Sequence, residues 1–231
     1  MKSIIFDTGP LISLAMNSLL FILEPLKEKF GGEFCITPLV KEELVDKPLK
    51  IRRFKFEALR ILARIKKGTL KVADPDGMKN ETDRLLDIAN SIYKVRGNWM
   101  RIVHDAEMQA LAAAIILRSS AIVIDERTTR MLIENPQQLK KILEHKLHAK
   151  VQVNEKNLAE FRKLTKHVRV IRSTELVTIA YRLGLLDRFM PSMPNPRKQL
   201  LDSVLWGVKL NGCSISQREI DTIIKVETKN K

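Results

Sequence analysis

Cysteine is scarce in this sequence: Cys35 and Cys213 are the only two in 231 residues. Two isolated thiols exclude a CxxC metal pair and a disulfide-dense scaffold, and they suit a reducing cytosol. Histidine is nearly as rare, limited to His104, His145, His148 and His167, which argues against a zinc centre. Long apolar runs are missing too. The longest near the start, residues 11–23, is interrupted by Ser13, Asn17 and Ser18 and is too short to span a bilayer. Asp7 inside the first ten residues argues against a signal peptide, so the expectation is a cytoplasmic protein with no membrane partner. Glycine and proline, at nine each, exclude a fibrous or low-complexity chain. No GxxxxGK[ST] or GxGxxG run is present, which removes the P-loop and dinucleotide enzymes. No Ser-His-Asp or Cys-His nucleophile is visible either.

Acid is also short, with 27 Asp and Glu against 41 Lys and Arg, a formal charge of +14. That surplus makes a polyanion the natural partner, although an inert basic surface carries the same charge. The excess is uneven: residues 46–73 hold ten basic side chains and only Asp46 and Glu57 as acids. Phe54, Ala58, Leu59, Leu62 and Ile65 are interleaved there at three and four, which predicts an amphipathic helix with a cationic face. Arg52, Arg53, Lys55, Lys66 and Lys67 are the candidate phosphate contacts, joined by Arg101 and Arg127. A solvated helix face is the competing reading of the same run. Phe54, Phe56 and Trp99 have the chemistry to stack bases, but aromatic residues are usually buried, which favours the core for them. At 5% of the chain, aromatics do not make a stacking platform the main design.

Short apolar runs at Ser3–Phe6, Glu33–Ile36, 121–124 and 168–171 alternate with helical patterns. Helices are predicted from Leu11 onward, over 24–30 before Gly31-Gly32, after Thr37-Pro38, over 81–95 and over 105–117. Further helices are expected over 127–148 with a break at Pro136, from a Ser173 cap to Leu183, over 197–210, and after a Ser216 cap. Residues 151–153 read either as a strand or as an extended link. Strands apolar on both faces belong to a buried parallel sheet. The expected fold is therefore an α/β three-layer α/β/α sandwich around a central parallel sheet. Open parallel sheets hold their ligands outside the carboxyl ends of the strands, where Asp7 and Asp125 fall.

Four acids can converge at that end: Asp7, Glu43, Asp105 and Asp125. Taken singly, each has an ordinary use as a turn residue, a solvated helix acid or a helix-start residue. Taken together they would repel, and a divalent cation is the usual remedy; Mg²⁺ or Mn²⁺ suits oxygen ligands. The run Ile4-Ile5-Phe6-Asp7-Thr8-Gly9-Pro10 resembles the opening of PIN-domain nucleases. Ile36-Thr37-Pro38 with Val40 and Glu43-Leu44 resembles the second acidic motif of that family, His104-Asp105-Ala106-Glu107 the third, and Ile122-Val123-Ile124-Asp125-Glu126-Arg127 the fourth. The motifs occur in the family order. Val170 to Leu186 and Leu200 to Ser216 are similar to the closing strand and helices of archaeal and bacterial PIN-like proteins.

The resemblance implies one domain over 1–231, with helical insertions at about 46–100 and 131–165 and a C-terminal helix pair at about 197–225. It implies a metal-dependent endoribonuclease in which Asp7, Glu43, Asp105 and Asp125 are the catalytic acids and ligands of Mg²⁺ or Mn²⁺. Thr8, Glu42, Glu107 and Glu126 are possible supporting residues; whether Glu42 or Glu43 is the ligand, and whether Glu107 joins, stay open. RNA is the implied substrate, with a homodimer and an antitoxin or other protein as further partners. RNA processing and the toxin role of a toxin–antitoxin pair are both compatible, and the two insertions favour processing. The alternative is a non-catalytic PIN-like module that binds RNA or protein.

Overall fold

The computed structural model describes residues 2–229, so the expected single domain over 1–231 extends past the described chain at both ends. The chain opens with strand β1 (Ser3–Phe6), helix α1 (Thr8–Met16), a 3-10 turn (Leu20–Ile22), α2 (Leu23–Phe30) and β2 (Glu33–Ile36). Gly31, at φ +63°, closes α2 in the left-handed conformation that glycine adopts without strain. Next come α3 (Pro38–Lys41), a π-helical turn (Glu42–Asp46), α4 (Lys47–Leu49), α5 (Lys55–Lys66) and β3 (Lys71–Val72). Then follow α6 (Met78–Ala89), β4 (Tyr93–Val95), β5 (Asn98–Trp99), α7 (Asp105–Ile116), β6 (Ala121–Val123), α8 (Arg127–Glu134) and α9 (Pro136–Leu147). The chain ends with β7 (Gln152–Val153), α10 (Glu155–Thr165), β8 (Val170–Ile171), α11 (Ser173–Arg182), α12 (Pro196–Leu210) and α13 (Gln217–Lys229).

The central sheet has the order β3-β2-β1-β6-β8, and every neighbouring pair is parallel. Its strands alternate their side chains between two cores, as the period of two requires. Ile4, Phe6, Phe34, Ile36, Ala121 and Val123 face a core completed by Leu11 and Leu14 of α1, Ile61 of α5, Leu176 of α11 and Leu205 of α12. Ile5, Cys35, Ile122 and Ile124 face the other core, with Leu85 of α6, Leu111 of α7 and Phe161 of α10. Two helical layers thus enclose one sheet, and the three-layer α/β/α sandwich holds. No single helix among the described residues is long and apolar enough to cross a membrane. Cys35 and Cys213 are both free and buried.

Several local expectations change. The helix expected over 81–95 ends at Ala89, because the Asn90 side chain takes over the hydrogen bonding. Its Oδ1 accepts from Ile102 N at 2.8 Å and Val103 N at 3.1 Å, while Nδ2 donates to Val103 O at 3.3 Å. Residues 93–95 are freed to become β4, which pairs antiparallel with β5 and β7 in a second sheet. The 151–153 run contains strand β7 (Gln152–Val153), and the segments 46–100 and 131–165, expected as helical insertions, also carry strands that pair with each other, β4 with β7. The first segment also supplies β3 to the central sheet. Only the part of 46–73 over Lys55–Lys66 is the expected long helix. Helix α10, foreseen only as part of the 131–165 insertion, is capped by Asn154, whose Oδ1 accepts from Asn157 N.

Phe54, Phe56 and Trp99, favoured above for the core, are all exposed. The apolar positions that α5 buries are Ala58 and Ile61 instead.

Candidate metal centre and nucleic-acid interface

Asp7 stands where β1 becomes α1, its N–H bonded to Val123 O of the neighbouring strand. It is nearly enclosed by protein. Burial is the main cause that raises its pKa, and the carboxylates of Glu107 and Glu43 raise it further; the N–H groups of Thr8 and Gly9 oppose them, and the result is about 7. No described Lys or Arg forms an ion pair with Asp7. Gly9 lies between two of the acids: a Cβ at that position would be 3.6 Å from Asp125 Cβ and 4.0 Å from Asp7 Oδ2.

Glu43 is carried by the π-helical turn after α3. Thr37 caps α3 with a long 3.5 Å hydrogen bond from Val40 N, and Gln109 Oε1 of α7 accepts from Leu39 N at 2.9 Å. The widened turn sends adjacent acids different ways. Glu43 Oε2 accepts from Thr8 Oγ1 at 2.7 Å, whereas Glu42 pairs with Lys47 at 3.3 Å. Of the two acids left open by sequence, Glu43 is the one facing Asp7.

The third acidic motif resolves differently from its expected residue. Asp105 is 61% exposed and its carboxylate pairs with Arg101 at 3.1 Å. Glu107, two positions on, turns inward: its Oε2 accepts from Thr129 Oγ1 at 2.7 Å and from His104 N at 3.3 Å. Residues two apart on a helix do not share a face, so only one of these acids can look into the site, and it is Glu107. Desolvation raises the Glu107 carboxyl above its ordinary range, with Glu126 adding to it and the Thr129 hydroxyl acting against it. Glu126 itself is occupied as the cap of α8, accepting from Thr129 N at 2.6 Å. Glu is not one of the usual cap residues, so no local signal in the sequence pointed to Thr129.

Asp125 is fully buried and already provided with donors. Ser173 N reaches its Oδ1 at 2.8 Å and Ser173 Oγ its Oδ2 at 2.6 Å, while its main-chain oxygen accepts from Ser214 N at 3.1 Å. Burial raises its pKa and the two Ser173 donors lower it. Ser173 is thus not the cap of α11. It occupies the first helical position, and the preceding Arg172 stands at the cap with Glu175 reaching back to its N–H at 2.7 Å.

Glu43 and Glu107 therefore both act on Asp7 at the carboxyl end of the sheet, Asp125 is buried close by Gly9, and Asp105 is exposed and paired with Arg101. The donor chemistry of Asp7, Glu43 and Glu107 is all oxygen and uncompensated by cations among the described residues, which fits Mg²⁺ or Mn²⁺. Among the described residues, no three His, Cys, Asp or Glu side chains stand ready-arranged to hold a metal ion.

The basic candidates divide by position. Helix α5 lies in the crossover between parallel strands β2 and β3, so it runs against them and starts at their carboxyl end, the end that carries the acids. Arg52, Arg53 and Lys55 are at that start and exposed. Lys66 and Lys67 lie at the other end of this helix, about 17 to 18 Å from its start. Lys67 is paired with Glu24 at 2.7 Å. Arg101 is at the acid end but engaged by Asp105, and Arg127 is exposed at the start of α8. No protein-family profile matches this chain, and no curated protein matches it either.

Proposed function

We propose that this chain is a PIN-type, metal-dependent endoribonuclease that hydrolyses RNA phosphodiester bonds in a cytoplasmic setting. The observation that supports the reading is buried Asp7 at the carboxyl end of a parallel sheet, its pKa raised by burial and further by Glu107 and Glu43, with no cation paired to it among the described residues. Asp7, Glu43 and Glu107 would hold the ion, Thr8 orienting Glu43 and Thr129 orienting Glu107. A bound divalent cation supplies charge stabilisation and a water nucleophile for in-line attack on the phosphorus. Asp125 is assigned a positioning role, since each of its oxygens already accepts a hydrogen bond from Ser173. Arg52, Arg53, Lys55 and Arg127 are placed to attract the phosphate chain.

The non-catalytic module keeps one observation in its favour, the lack of a ready-arranged group of three ligands. Labelled single-stranded RNA incubated with Mn²⁺ or Mg²⁺ separates the readings. The nuclease reading predicts cleavage that EDTA stops and that Asp7→Asn abolishes. Cleavage indifferent to both contradicts the metal assignment, and binding without cleavage favours the module.

A further inference from the structure

Most aromatic rings here are hidden. Phe6, Phe34, Phe161, Tyr93 and Tyr181 are fully or almost fully buried, and the exposed Phe189 rests on Phe21 with ring centroids 5.9 Å apart. Three rings break the pattern: Phe54 is 39% exposed, Phe56 68% and Trp99 49%. None has an aromatic partner; each has a cation instead. Arg53 lies over Phe54 at 4.6 Å, Arg60 near Phe56 at 5.7 Å and Lys94 over Trp99 at 5.1 Å.

Their location is as telling as their exposure. Phe54 and Phe56 flank the start of α5, at the acid end of the sheet, and Phe54 holds a φ of +60°. A bulky side chain seldom adopts that conformation, and such residues gather at ligand sites. Trp99 lies two residues before Arg101, which is fixed to Asp105 at the first turn of α7. The acids therefore have an exposed ring beside unpaired cations on the α5 side and another on the α7 side. Arg52, Arg53 and Lys55 form no ion pair among the described residues. A purely apolar partner would leave those charges desolvated and unmatched, whereas a phosphate chain matches them while its bases cover the rings.

We propose that Phe56 and Trp99, supported by Phe54, are nucleobase-stacking platforms on either side of the acid cluster, which makes the substrate a single-stranded nucleic acid with accessible base faces. Paired bases keep their faces inside the duplex and cannot use such rings. The inference rests on the nuclease reading for what the acids do, but its test needs no cleavage.

Binding is measured in EDTA by fluorescence anisotropy with a labelled single-stranded oligoribonucleotide, the same strand in a duplex, and an abasic strand of equal length. The wild type binds the base-bearing strand most tightly. Phe56→Ala with Trp99→Ala lowers that affinity by about tenfold or more, leaves the salt dependence in place, and barely changes binding of the abasic strand. Arg52→Ala with Arg53→Ala weakens all three and flattens the salt dependence by about 0.7 per lost contact on a single strand. Equal affinity for the abasic strand, or an unchanged affinity in the Phe56/Trp99 variant with its melting temperature preserved, overturns the proposal. So does a dimer that the Phe56 variant dissociates while its RNA affinity stays intact, because the ring then belongs to a contact between copies. Failure of metal-dependent cleavage with the stacking pattern intact overturns only the nuclease reading.

Discussion

A buried carboxylate is costly to ionise, and Asp7 is held in that condition by its neighbours. Its pKa, raised from 3.8 to about 7, means that the folded protein binds a proton more tightly than the unfolded chain. The stabilisation is fully present below the unfolded value near pH 4 and is lost as pH rises through about 7. The loss from this group is on the order of 4 kcal/mol, and Glu107 and Asp125 act in the same direction. The thermal midpoint of the metal-free protein should therefore fall between pH 5 and 7.5, and Asp7→Asn should flatten the fall. Mn²⁺ should raise the midpoint more at pH 7.5 than at pH 5, because it competes with the proton; an equal rise at both pH values contradicts this.

Asp125 makes a different prediction, because each of its oxygens accepts a hydrogen bond from Ser173. Ser173→Ala removes a hydroxyl bonded to a buried charge and should cost about 2 kcal/mol in urea unfolding, with Mn²⁺ affinity nearly unchanged. A large loss of Mn²⁺ affinity at constant stability would return Asp125 to the ligand set.

At the scale of elements, sequence reading succeeded where a boundary has a local cause. Gly31 ends α2, Pro38 starts α3, Pro136 separates α8 from α9, and the Ala-rich run makes α7. It failed where a distant contact decides. Residues 90–95 have helical periodicity, but Asn90 binds the strand leading to α7, and residues 93–95 find partners in β5 and β7, the latter almost sixty residues on. Asn90→Ala should cost about 2 to 3 kcal/mol, since it leaves the N–H groups of Ile102 and Val103 and the Val103 carbonyl unpaired. Hydrogen exchange should locate the loosening just before α7, and protection unchanged there would show that Asn90 is incidental. The same limit explains the third acid. Within the third acidic motif, Asp105 is drawn outward by Arg101 four residues before it, while Glu107 is held inward by Thr129, which only the folded chain brings near.

For the whole molecule, the scarcity of acid and the surplus of base acquire positions. Much of the base at 46–73 is gathered at or near one helix, yet only its start reaches the acid end of the sheet, while Lys67 is spent on Glu24. The cysteines lie in opposite cores and serve as small apolar residues. Among the acids without an ion pair, Asp7 and Asp125 are the ones buried at the carboxyl end of the central strands, where a parallel sheet presents a ligand.

Calorimetric titration of Mn²⁺ into the wild type, Asp7→Asn, Glu107→Gln and Asp105→Asn tests that arrangement most directly. The wild type should bind, and Asp105→Asn should bind with equal affinity. Asp7→Asn and Glu107→Gln should each lose about tenfold or more, in keeping with the sensitivity of metal sites to groups even one step removed from the ligands. Loss in Asp105→Asn with Glu107→Gln unaffected, or no Mn²⁺ binding by the wild type, would contradict that arrangement.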